Sequence, residues 1–169
     1  QPRATETPMA DRLACRGFSV RQLLEFYHEH QQSRSLTAGT LTKDVVRDIV
    51  IPQTAEEATC YMDSAFMRAR GGPRRAAKLV SHAWGSRFLN TVLNVVLDAS
   101  GWSSEHLLRV SNLHARAEPS IPKLLSKLEE LEGGVCETTY WLCIFAVNQH
   151  TSICGDCFGC RGGAGWSKE

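Results

Sequence analysis

The chain predicts an α/β domain: a partial parallel sheet with flanking helices, entered through a helical N-terminal extension. Two apolar ribbons and a series of capped helices point to that class. The first ribbon, Lys78-Leu79-Val80, breaks at the polar turn Ser81-His82-Ala83-Trp84-Gly85 and leads into a helix. The second, residues 139–147, is nearly continuous apolar and rich in β-branched and aromatic residues, which suits a parallel strand covered on both faces. It runs into Asn148-Gln149-His150. If the ribbons lie adjacent and parallel through a right-handed crossover, both polar ends emerge on one edge, where ligands gather in open α/β sheets. The predicted ligand or partner rim is therefore Ser81, His82, Trp84, Gly85, Arg87, Asn148, Gln149 and His150.

Taken in order, residues 1–17 lack periodicity and read as a flexible lead-in. A helical extension follows over 18–72. Ser19 with Gln22 forms a capping box, Phe18 and Leu23 stand where a hydrophobic staple would, and Val20, Leu23, Leu24 and Tyr27 make a stripe. Thr42 is placed to cap a short helix carrying Val45, Val46 and Ile49, with Pro52 as its stop. Thr54 and Glu57 form a second capping box ahead of Ala58, Tyr61, Met62, Ala65 and Phe66 at helical spacing. Gly71-Gly72-Pro73 breaks the chain before the α/β core, 73–152. In that core, Phe88, Leu89, Val92, Leu93, Val95, Val96 and Leu97 mark a helix buried against the sheet. Ser103 or Ser104 opens the next helix, and Ser120 with Pro122 opens another that ends at Gly133-Gly134. Residues 153–169 form a Cys/Gly-rich tail. A covered sheet normally has about four to six strands, so two ribbons imply an incomplete domain belonging to a longer protein.

Composition sets the outer limits. A length of 169 residues, 43% hydrophobic and 22% charged, suits one globular domain with its own core. A net charge of +1 offers no electrostatic reason to expect nucleic acid, and the cluster Arg68, Arg70, Arg74, Arg75 and Lys78 reads as a solvated linker. No apolar run approaches the ~20 residues of a membrane span. With no secretory pattern, a cytoplasmic location is the expectation. Seven cysteines, an odd number, argue against a full disulfide framework, and Cys143 reads as a small buried apolar residue.

Two constellations carry candidate chemistry. Ser81 beside His82 suggests a nucleophile and its base, but neighbours on a strand point to opposite faces and no acid orients the imidazole. A pocket lined by His82 and Trp84 fits better, with Gly85 permitting close backbone approach and Arg87 near a helix N-terminus to meet a phosphate. The competing reading is a structural turn with Trp84 packed and His82 hydrogen-bonded. The second constellation is His150, Cys154, Cys157 and Cys160, whose spacing suits one tetrahedral zinc. Its alternative is a set of reduced thiols or a redox pair.

The Ser-His-x-Trp-Gly turn and the later Tyr-Trp-x-Cys…Asn-Gln stretch resemble a largely uncharacterised family abundant in algae and other protists. The likeness covers 41–52 with Tyr61, 79–88 and 140–154. In layout the chain is also similar to Toll/interleukin-receptor (TIR) and fungal heterokaryon-incompatibility (HET) domains, which implies a partial flavodoxin-like sheet. The resemblance implies a signalling or protein-interaction module, with a protein partner or self-association through a sheet edge. It also implies an alternative, an NAD-cleaving domain with NAD as ligand. The catalytic glutamate of that activity has no counterpart helix here, and Glu137, Asp156 and Glu169 are the nearby acids. A zinc-stabilised interaction module is the third reading.

Overall fold

A computed structural model describes residues 8–113 and 118–151. Its elements are α1 (Met9–Ala14), β1 (Phe18–Ser19), α2 (Val20–Gln32), α3 (Thr42–Val45), α4 (Ile51–Thr54), α5 (Ala65–Arg68), β2 (Lys78–Val80), α6 (Phe88–Ser100), α7 (Ser104–Val110), α8 (Ile121–Glu129), β3 (Thr139–Leu142) and α9 (Cys143–Ala146). The three strands form one mixed sheet in the order β1-β3-β2. β2 runs parallel to β3 with Lys78, Leu79 and Val80 opposite Tyr140, Trp141 and Leu142. The connection between them passes through α6, α7 and α8, as a parallel pair requires. β1 pairs antiparallel with β3, so the sheet is not purely parallel as expected.

Sequence chemistry explains several helix ends. Ser19 Oγ accepts from the Gln22 backbone N–H at 3.2 Å while Gln22 Oε1 accepts from the Ser19 N–H at 2.9 Å, the reciprocal capping box at the start of α2. Gln22 also reaches across to the Gly71-Gly72 break, its Nε2 donating to the carbonyls of Arg70 and Gly72. Ser103 caps α7 by accepting from the His106 N–H, and Pro122 occupies the first turn of α8. Gly101 ends α6 in the left-handed region at φ +68°, where a side chain would be strained.

Several expectations are corrected. The chain does not stop at Pro52: a π-helical turn, Val46–Val50, joins α3 to α4 and carries the helix past the proline. The wider turn ahead of it relieves the clash and the lost hydrogen bond that a proline imposes on a regular helix. Thr42 is not a cap, because Leu41 holds that position. Thr54 ends α4 instead of capping a new helix, and its hydroxyl donates to the Val50 carbonyl. Ala58 takes φ +48°, and the segment after it is a 3-10 turn, Tyr61–Asp63, followed by the single turn α5. Residues 8–17 are not a loose lead-in either. α1 lies there, Gly17 exchanges backbone hydrogen bonds with Arg74, and Arg16 pairs with Asp63 at 2.6 Å. The basic cluster is likewise tied down: Arg68, Arg70, Arg74, Arg75 and Lys78 face Glu57, Glu29, Glu137, Asp11 and Asp98.

The largest correction concerns residues 139–147. Only 139–142 are strand, and at Cys143 the chain coils into α9. One sheet face explains it. The face that carries Tyr140 and Leu142 is buried, with the Tyr140 hydroxyl donating to Asp98 of α6, whereas the opposite face carries Leu79, 73% exposed. A continued strand would alternate Ile144, Phe145 and Ala146 between a core and an open face, but a helical turn buries all three. Phe145 then meets Phe18, Phe26, Tyr61 and Phe88 with ring centroids 5.0–6.3 Å apart. Aromatic contacts of this kind add about 0.5–1.5 kcal/mol each beyond area burial.

Candidate functional site

The two ribbons do run side by side, and their carboxyl ends share an edge. Past Val80 the chain stays at the surface: Ser81, Ala83, Gly85 and Arg87 are exposed, with His82 and Trp84 half-buried between them. The turn is held from below by α3. Ser86 and Trp84 carbonyls accept the backbone N–H groups of Thr42 and Lys43 at 2.9 and 3.1 Å, donors that the start of a helix leaves unpaired. Thr42 Oγ1 donates to the same Ser86 carbonyl, and Leu41 bridges Arg87. A structural duty thus falls on this turn through its backbone.

Gly85 is not crowded by the rest of the chain. A Cβ added there would meet nothing within 4 Å, in contrast to Gly17, where one would come within 2.9 Å of Ala76 and the Arg74 carbonyl. Arg87 holds the N-cap position of α6 with its side chain exposed.

Asn148, Gln149 and His150 do not join that rim. Because α9 turns the chain inward, they close on the α4 end of the molecule. Asn148 Nδ2 donates to the Ala58 carbonyl at 2.7 Å, and Asn148 Oδ1 accepts from the His150 N–H. His150 Nε2 lies 2.8 Å from Thr54 Oγ1, whose own hydrogen goes to Val50. Gln149 is buried, its Nε2 donating to the Cys143 and Val147 carbonyls, so it closes the single turn of α9 with side-chain donors. Cys154, Cys157 and Cys160, proposed with His150 as zinc ligands, lie outside the described residues. Among the described residues no group of three or more His, Cys, Asp or Glu side chains could hold a metal ion.

The rim's neighbour is Cys143, a residue whose sequence context suggests only core filling. The register that sets Val80 opposite Leu142 leaves Ser81 and Cys143 each one residue past a strand end. Across that gap Cys143 Sγ lies 3.7 Å from His82 Nε2 and 4.0 Å from Nδ1. The His82 ring stands edge-on to Trp84 with centroids 5.6 Å apart. Burial is the sole cause that lowers the His82 pKa. Burial also raises the Cys143 thiol, while the backbone N–H groups of Ile144 and Cys143 pull it back. At rest the pair is therefore neutral imidazole against neutral thiol. No spacing rule links positions 61 residues apart, so only strand pairing reveals the contact.

Two features bear on the other expectations. Glu137 stands before β3, at the end away from the rim, and its pKa is lowered by the hydrogen bonds of Arg74 and Arg21. An acid for cleaving NAD at the rim is thus not supplied by Glu137, and Asp156 and Glu169 lie outside the described residues. The outer sheet face forms a shallow apolar hollow of about 430 Å³ bordered by Ala10, Leu13, Ala76, Leu79 and Trp141. No helix among the described residues is long and apolar enough to cross a membrane. No protein-family model, curated protein or solved structure matches the chain.

Proposed function

We propose that the chain is a protein-interaction module of TIR/HET-like type that associates with a second copy of itself through β2. The observation that carries this is Leu79: a leucine 73% exposed at the centre of an edge strand with no strand on its outer side among the described residues. An open edge with apolar surface is a template for pairing unless it is blunted. Lys78 does not blunt it, because its ammonium is drawn 2.7 Å from Asp98 on α6. Antiparallel pairing of two β2 strands about Leu79 sets each Lys78 opposite a Val80, so no like charges face each other. The four side chains Trp141, Leu79 and their symmetry mates would then line one outer strip.

The TIR/HET-like reading of the fold rests on the parallel β2/β3 pair joined through helices, the serine after β2 and the tryptophan in β3. Antiparallel β1 and the single covered face depart from it. Sedimentation of the purified chain over a concentration series tests the self-association. A monomer–dimer equilibrium abolished by Leu79→Lys supports the reading. A monomer throughout, or a dimer indifferent to Leu79→Lys, refutes it.

A further inference from the structure

Thiol exchange needs a sulfur nucleophile, a base for its proton and a path to solvent, and the edge beyond β2 and β3 supplies all three. Cys143 Sγ is within 3.7 Å of an imidazole nitrogen. Both residues are half-buried, and Ser81 and Ala83 on either side of His82 are exposed, so the pair lies at a surface turn. The other described thiols lack the combination. Cys60 and Cys136 are buried, the Cys60 thiol pushed up to about 11 by desolvation. Cys15 is exposed, at the C-cap of α1. None of the four described thiols is in a disulfide.

We propose that Cys143 and His82 form a reactive-thiol site for small disulfides of the glutathione class. In the encounter His82 accepts the thiol proton as Sγ attacks one sulfur of the disulfide. The new S–S bond forms while the old one breaks, and the departing thiolate takes the proton back from the imidazolium. Cys143 is oxidised to a mixed disulfide, and half of the small disulfide leaves reduced as a free thiol. Among the described residues His82 is the titratable group against the sulfur, and the proton moves within the encounter because the resting pair is neutral. A thiol that exposure alone made reactive would need no such partner.

The test incubates the full chain with oxidised glutathione and follows each cysteine by site-resolved mass spectrometry. Cys143 is expected to gain glutathione on the order of tenfold faster than Cys60 or Cys136, reversibly with reductant. His82→Ala should slow Cys143 by at least about tenfold while leaving Cys15 unchanged, and added free imidazole should restore the rate. Equal rates at Cys143, Cys60 and Cys136, or a Cys143 rate indifferent to His82→Ala, overturn the proposal. If His82→Ala unfolds, exposing Cys60 and Cys136, His82→Gln takes its place. Should that unfold too, the comparison among cysteines in the unaltered chain decides.

Discussion

Beyond Val80 the chain stays at the surface, with Ser81, Ala83, Gly85 and Arg87 exposed, whereas beyond Leu142 it winds into the core and buries Ile144, Phe145 and Ala146. The two strands are parallel neighbours in register, so the difference does not come from their pairing. It arises in the residues just beyond each strand. After β2 the polar and apolar residues alternate too closely for a buried face. After β3 three apolar residues in succession are satisfied by one helical turn. With Leu79 exposed on the outer face among the described residues, the helical turn buries the three together.

The contrast breaks most readily at Phe145. Replacing it with Ala removes the ring on which four other aromatics converge, and urea denaturation should show a loss of about 3–5 kcal/mol. A loss no larger than a surface change gives would mean that the α9 turn does not organise the core. Gln149→Ala comes next. It leaves the Cys143 and Val147 carbonyls without their side-chain donor, at a cost of about 1–3 kcal/mol by the same measurement.

A pH series sharpens the comparison further. Burial lowers the pKa of both His30 and His82; at His30, Glu29 raises it in part and Arg70 lowers it further. The unfolded chain binds those protons more readily than the folded one. Stability is therefore full above the ordinary histidine range and falls as pH drops below it toward the folded values. Urea midpoints measured from neutral into mildly acidic solution should decline, and His82→Gln should remove the share that belongs to the β2 turn. A flat series would contradict the lowered pKa of both rings. The smallest effect is expected at Gly85, where open space and an ordinary backbone leave Gly85→Ala within about 0.5 kcal/mol of the native chain. Gly17→Ala, tested beside it, should be clearly destabilising because its Cβ collides with Ala76.

Much of the helical framework is legible in the sequence. The Ser19/Gln22 capping box, the Ser103 cap, Pro122 at a helix start and the α6 stripe each depend on neighbours within one or two turns. The parallel pairing of the two ribbons is legible as well, from their apolar content and the helices between them. Strand β1 escapes such reasoning because a two-residue strand has no periodicity to detect, and Phe18 reads equally well as a staple. Thr54 and Glu57 match a capping pattern by spacing alone, yet Thr54 closes a helix and Glu57 accepts from the Ala65 N–H at 2.7 Å. Of the predicted rim, Ser81, His82, Trp84, Gly85 and Arg87 share one turn. Asn148, Gln149 and His150 are carried away from it where the ribbon coils.

Local chemistry determined where α2, α7 and α8 begin, where Gly101 ends α6 and which two segments could pair, since caps, stripes and apolar runs act over a few residues. Only the folded chain decided that Leu79 stands exposed on one sheet face among the described residues, that the second ribbon coils at Cys143, and that its sulfur comes to rest against His82. Those outcomes depend on which surfaces find a covering partner, a property of the whole packing that no short stretch of sequence contains.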